Sequence, residues 1–144
     1  MEKSTILSEL TVFGDSVKDN PLSEWRTFEN YVCNILKPKY QNVQEQVSIG
    51  TKVNGRKHII DVYVPKPRIL VSVKLQNTGG TAEEKVAYEM FTLQRACDKY
   101  GYSRAYLVLG GDAWTIKKDL YEISDLYPQV TILEYEDDKN LSLI

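Results

Sequence analysis

The sequence predicts an α/β protein, a mixed β-sheet flanked by helices in the order α-βββ-α-β-α-β. Three observations lead there. Two apolar runs, His58–Val64 and Ile69–Gln76, are separated only by Arg68 and the stiff link Pro65-Lys66-Pro67, so the early strands form a meander. Segments of helical period, residues 21–36 and 81–100, stand on either side of that meander. Past the second of them, short apolar strands at Arg104–Leu109 and Val130–Tyr135 alternate with a further helical stretch, so the sheet is mixed.

Each element has a local reason. Asn20-Pro21 supplies a cap and a first helical residue for a helix that stops before Lys37-Pro38. Tyr40–Ile49 reads as the first strand, and Val53-Asn54-Gly55-Arg56 carries the Asn-Gly signal of a type I′ hairpin. After the strands at 58–64 and 69–76, Asn77-Thr78-Gly79-Gly80 is a loop. The long helix from Thr81 to Tyr100 follows, with Thr81 and Glu84 at capping-box spacing. Gly110-Gly111-Asp112 turns the chain into a helix at Trp114–Ser124, where Trp114 is expected as a core anchor.

A chain of 144 residues and 16.5 kDa suits one domain with one sizeable core, assigned here to residues 20–144 with an N-terminal arm at 1–19. With 42% hydrophobic and 26% charged residues, the composition is that of an ordinary globular protein. No apolar stretch approaches the roughly 20 residues of a membrane span. Met1-Glu2-Lys3-Ser4 begins no signal-peptide core, so the expected location is cytoplasmic. Cys33 and Cys97 have no CxxC partner and a single histidine for company, which argues against structural zinc and for two buried free thiols.

The net charge of −2 conceals an uneven distribution. Residues 37–74 carry eight Lys or Arg against two acids, a local balance of +6, and the remainder carries −8. That basic segment suits a polyanionic partner.

The same segment holds the residues that point to chemistry. Alternation along 69–76 sends Ile69, Val71, Val73 and Leu75 to one face and Ser72, Lys74 and Gln76 to the other. A lysine in a core-like strand costs several kcal/mol, as an order of magnitude, unless a carboxylate, phosphate or metal-bound oxygen faces it. The neighbouring strand offers one acid, Asp61. Both flanking helices carry acids on their apolar stripes. At 100° per residue Glu29 falls about 40° from Trp25 and about 20° from Leu36, within the stripe of Trp25, Phe28, Val32, Ile35 and Leu36. Glu89 falls between Ala96 and Tyr100, on the side of Ala82, Val86, Met90, Leu93 and Cys97. Glu29, Asp61, Lys74 and Glu89 are therefore expected to converge. Two or three carboxylates around a lysine suit a hard divalent cation such as Mg2+, and with it phosphodiester hydrolysis. No P-loop and no nucleophile elbow is present, and His58 is expected at the surface or on a phosphate.

On these residues the chain resembles the PD-(D/E)XK nuclease superfamily over about Asn20–Tyr135. That pattern has a helix acid, an Asp ending one strand of a hairpin, then acid-x-Lys on the next strand and a helix. Glu29 within Phe28-Glu29-Asn30-Tyr31-Val32 matches the helix acid, Asp61 the motif Asp and Lys74 the motif Lys. Ile60 precedes Asp61 where the pattern has Pro, and Ser72 stands in the acidic place of acid-x-Lys. Some members with Ser-x-Lys draw that acid from the following helix, which implies Glu89 here, with Gln76 as a neutral oxygen ligand and Glu83 as the other candidates.

The resemblance implies a restriction-endonuclease-like fold and a Mg2+-dependent endonuclease of the restriction or homing type. Asp61 and Glu89, with Gln76 in reserve, would bind the metal, Lys74 would orient the nucleophile, and Glu29 would support a water beside the cation. Lys52, Arg56, Lys57, His58 and Ser72 would meet nucleic acid, double-stranded DNA first. A chain this small cutting both strands implies a homodimer or higher oligomer. The competing expectations are a catalytically silent module of the same fold that binds nucleic acid or a partner protein, and an unrelated scaffold in which Lys74 and Asp61 form a closed salt bridge.

Overall fold

The structure is a computed structural model that describes residues 25–76, 82–111, 114, 117–135 and 138–144. The arm at 1–19 and the cap at Asn20-Pro21 lie outside those residues, as do the side chains of Glu83 and Glu84. Five strands make one sheet in chain order: β1 (Gln44–Thr51), β2 (Lys57–Val64), β3 (Ile69–Leu75), β4 (Arg104–Gly110) and β5 (Val130–Glu134). β1, β2 and β3 pair antiparallel through short connections. β3, β4 and β5 pair parallel, because α2 (Ala82–Tyr100) and α3 (Lys117–Ser124) carry the chain back between them. The mixed α/β sheet expected from the sequence is the sheet observed. α1 (Trp25–Leu36) precedes β1, and a short α4 (Asp138–Leu141), which the sequence did not announce, follows β5.

The sheet separates two hydrophobic cores. On one face Val86, Met90, Leu93, Ala96 and Cys97 of α2 and Leu120 of α3 cover Leu70, Ala105, Leu107, Val130 and Ile132. On the other, Phe28, Val32, Cys33 and Leu36 of α1, with Leu141 and Ile144, cover Val62, Val64, Ile69, Val71, Val73 and Val108. β3 and β4 are covered on both sides, which is why they read as continuous apolar runs. Both cysteines are buried free thiols, each pushed up to about 11 first by burial. Trp114 anchors the core as expected, its Nε1 donating to the Gly110 carbonyl at 2.7 Å.

Several local expectations change. Trp25, placed on the apolar stripe of α1, is 47% exposed, because the first turn stands clear of the core that Phe28 and Val32 enter, and the Arg26 guanidinium lies 5.1 Å from its ring centre. The β1–β2 turn is not type I′. Gly55 N–H donates to Lys52 O at 3.0 Å, Lys52 N–H to Arg56 O at 2.8 Å, and only Gly55, at φ 84°, is left-handed. This is a three-residue loop with glycine at the left-handed place; the register shift between Ser48 and Thr51 lies before it, within β1, where Gly50 has a φ of 125°. β1 begins at Gln44 rather than Tyr40, whose hydroxyl instead donates to the Ile144 carbonyl at 2.6 Å.

Gly50 shows why the far end of β1 is fixed. Its φ is 125°, and a methyl there would collide with the Tyr100 ring. The Tyr100 hydroxyl accepts the Thr51 amide at 3.1 Å, and Arg95 Nη1 donates to Thr51 O at 2.8 Å, so α2 is tied to the root of the basic hairpin.

Candidate active site

The candidate site lies where β2 and β3 part. Their pairing runs Val64 to Ile69, Tyr63 to Leu70 and Val62 to Val71. One residue further, the Asp61 carboxylate takes over from the ladder, Oδ2 accepting the Val73 amide at 2.7 Å. The alternation of β2 breaks at the same residue. Residues two apart on a regular strand share a face, yet Ile60 belongs to the core under α2 and Val62 to the core under α1. Asp61 thus sits half-buried at a crossing point between the two faces.

Three further acids or amides reach this point from different elements. Glu29 of α1 is 2% exposed, inward as its place on the stripe predicts. Gln46 of β1 lies opposite Asp61, between the pairs Glu45–Val62 and Val47–Ile60. Its Nε2 stands 2.9 Å from both carboxylate oxygens of Glu29 and 3.4 Å from Asp61 Oδ1. Glu89 of α2 also faces the sheet as predicted, its Oε2 accepting the Ser72 hydroxyl at 2.9 Å. Ser72, which the sequence reading set in the place of the motif acid, is therefore bonded to the acid read as its replacement.

The charges show strain of an electrostatic kind. Burial pushes the Glu29 carboxyl up to about 7; the Gln46 hydrogen bond opposes this and the Asp61 charge adds to it. Asp61 is also raised, first by burial and further by Glu89, with the Val73 amide and Lys74 opposing. Negative charge is crowded here with too little positive charge to balance it. Lys74 is close enough to act on Asp61 and remains half-exposed, which argues against a sealed Lys74–Asp61 salt bridge.

Two residues expected to meet nucleic acid do not face solvent. His58 is 2% exposed and Ser72 is 1% exposed, so neither offers a surface to a phosphate. The reason for His58 is its place beneath α2, where burial first, then Lys52, Arg95 and Lys74, hold its imidazole below the usual range against the pull of Glu89. Among the described residues its Nε2 has no hydrogen-bond partner. Of the other expected nucleic-acid residues, Arg56 and Lys57 are exposed and Lys52 is half-exposed at the hairpin. Gln76 is buried just past β3, its backbone N–H donating to Gly110 O at 3.0 Å.

Among the described residues no three His, Cys, Asp or Glu side chains stand close enough to hold a metal on their own. Mg2+ asks for less, since it commonly keeps several waters and takes one or two carboxylates. The Glu89 charge acts on Asp61, and both side chains offer only oxygen, which fits a hard cation. Gln46 is the residue that reading the sequence missed. Nothing in the spacing of Gln44-Glu45-Gln46 distinguishes one glutamine from the other, and only the backbone conformation of residue 46 aims it at Glu29.

Comparison with known proteins follows the same lines. A family model described as a PD-(D/E)XK nuclease superfamily domain matches residues 19–122, a span that includes Glu29, Gln46, Asp61, Ser72, Lys74 and Glu89. No curated protein and no solved structure matches the chain. No helix among the described residues is long and apolar enough to cross a membrane. With a mixed five-stranded sheet of the restriction-endonuclease-like kind and a family match over most of its length, the chain belongs to the PD-(D/E)XK nuclease superfamily.

Proposed function

We propose that the protein is a Mg2+-dependent endonuclease that hydrolyses DNA phosphodiester bonds, of the restriction or homing type. The observation that carries this reading is the Asp61 carboxylate held on the Val73 amide at the parting of β2 and β3, with Lys74 beside it. Asp61 and Glu89 are the residues that would hold the cation, with Gln76 as a neutral oxygen in reserve. When bound, Mg2+ polarises a phosphodiester and makes an attacking water more acidic. Lys74 orients that water and offsets charge that develops on the phosphate oxygens. Glu29, with its carboxyl near 7, exchanges protons readily at neutral pH and supports the water from the α1 side. Lys52, Arg56 and Lys57 grip flanking phosphates, and their hairpin is kept in place by the Arg95–Thr51 hydrogen bond. Cutting both strands of double-stranded DNA takes two such sites, hence a homodimer or higher oligomer. A cytoplasmic location goes with this reading.

One observation favours a second reading. The motif acid is a serine, so the chain would be a silent module of the same fold that binds nucleic acid or a partner protein. The experiment that separates the two is cleavage of a mixed DNA library, with Mg2+ or with EDTA, by wild type, Asp61→Ala and Glu89→Ala. Mg2+-dependent cutting lost in both variants is the expected result. Cutting lost only with Asp61→Ala moves the second ligand to Gln76 or Glu83. DNA binding without cutting, indifferent to EDTA, overturns the nuclease reading in favour of the silent module.

A further inference from the structure

Gln46 stands between the carboxylates that α1 and β2 bring together, and its backbone is strained there. Its φ is 54°, in the left-handed region that residues other than Gly, Asn and Asp seldom occupy and that persists only where the surroundings impose it. The strain does not serve strand pairing. Glu45 pairs with Val62 and Val47 with Ile60 in one unbroken register, so β1 has no extra residue to accommodate at this point. What the left-handed turn achieves is the direction of the side chain, away from the alternation of β1 and onto Glu29 and Asp61.

The residue type suits the position. Three carboxylate oxygens surround the amide, so only its N–H2 end can face them. The two N–H groups can serve both carboxylates at once while adding no charge. A lysine in the same place would cancel the negative charge that attracts a cation, and a third acid would drive the pair apart. Gln46 is exposed as a residue, so its contribution to the core is small and its bonds to the two acids are its main interactions.

We propose that Gln46 is a positioning residue of the metal site, holding the ligand Asp61 and the water-supporting Glu29 in fixed relation before a hard divalent cation binds. The proposal rests on the nuclease reading for the reaction served, and on the hydrogen-bond geometry for the ion. Partners of this kind, which orient ligands without touching the metal, change metal affinity about 10- to 100-fold when removed.

The test uses Mn2+ as the probe, its binding to the whole chain followed by electron paramagnetic resonance, beside Mg2+-dependent DNA cleavage and thermal melting. Gln46→Gly accepts the left-handed φ without strain, whereas Gln46→Ala keeps the strain, so the glycine variant melts higher. Expected is Mn2+ binding weakened about 10- to 100-fold in both variants alike, with a matching rise in the Mg2+ needed for half-maximal cutting. Unchanged Mn2+ affinity in Gln46→Gly overturns the proposal. So does a loss of affinity that tracks melting temperature and is greater in alanine than in glycine, which makes the role structural. A wild type that binds no Mn2+ overturns the proposal together with the nuclease reading. Mn2+ binding that is weakened in Gln46→Gly, in a protein that cuts nothing, upholds the positioning role and defeats the nuclease reading alone.

Discussion

The Asp61 carboxylate accepts the Val73 amide at 2.7 Å, taking the place of the next rung where the β2–β3 ladder ends at Val62 and Val71. One side chain therefore does two things: it satisfies a backbone donor that the strands leave behind and it turns a charge toward the opening between them. The two roles separate by substitution. Asp61→Asn keeps an oxygen that accepts the amide, so its urea midpoint should equal or exceed that of wild type at pH 7, while cleavage falls at least about 100-fold. Asp61→Ala leaves the amide unpaired and should lose about 1–3 kcal/mol of stability as well. Equal destabilisation by both substitutions would sink this account.

Glu29 makes metal-free stability depend on pH. Its carboxyl rises from 4.5 to about 7 on folding, so the folded chain holds this proton more tightly than the unfolded one. The stabilising contribution of the neutral form is then complete below about 4.5 and is lost as pH climbs to about 7. Urea midpoints in EDTA should fall for wild type across that window and fall less for Glu29→Gln. Parallel curves for the two proteins would show that Glu29 titrates normally.

Ser72 and Glu89 are predicted to behave as partners of unequal rank. Ser72→Ala removes a hydrogen bond to a carboxylate, worth about 1.5–3 kcal/mol, and frees Glu89 to move. Cleavage should fall about 10-fold, with most of it restored at high Mg2+. Glu89→Gln should abolish cutting at any Mg2+ concentration. If Ser72→Ala is the more damaging of the two, the acid has not moved to α2.

The basic hairpin should announce itself through salt. Replacing Lys52, Arg56 and Lys57 by Gln should weaken DNA binding at low ionic strength. It should also flatten the plot of log affinity against log salt by about 0.9 for each phosphate that the hairpin no longer neutralises. Equilibrium binding measured between low and moderate salt, with EDTA present to prevent cutting, checks this. An unchanged slope would place nucleic-acid binding elsewhere on the molecule.

Much of the architecture was readable in advance because it depends on spacing along the chain. The order of helices and strands and the inward faces of Glu29 and Glu89 follow from a 3.6-residue or two-residue period. The errors arose where that period is overridden. Trp25 keeps its place on the stripe of α1 but lies beyond the core that the stripe covers. The Asn54-Gly55 pair suggested a two-residue turn, yet Lys52 and Arg56 close a longer loop with only Gly55 left-handed. His58 sits among basic residues in sequence and beneath α2 in space.

By itself, then, the sequence determined the α/β class, the meander followed by strand–helix–strand units, the two buried thiols, and a set of four charged residues aimed inward. Those follow from local geometry, which each residue carries with it. Only the tertiary structure decided that β2 and β3 part at Asp61, that Ser72 gives its hydroxyl to Glu89, and that Gln46 adopts a left-handed backbone to reach Glu29. Each of these joins residues 12 to 17 positions apart. Their geometry is set by how strands and helices pack against one another, and no pattern within a single element contains it.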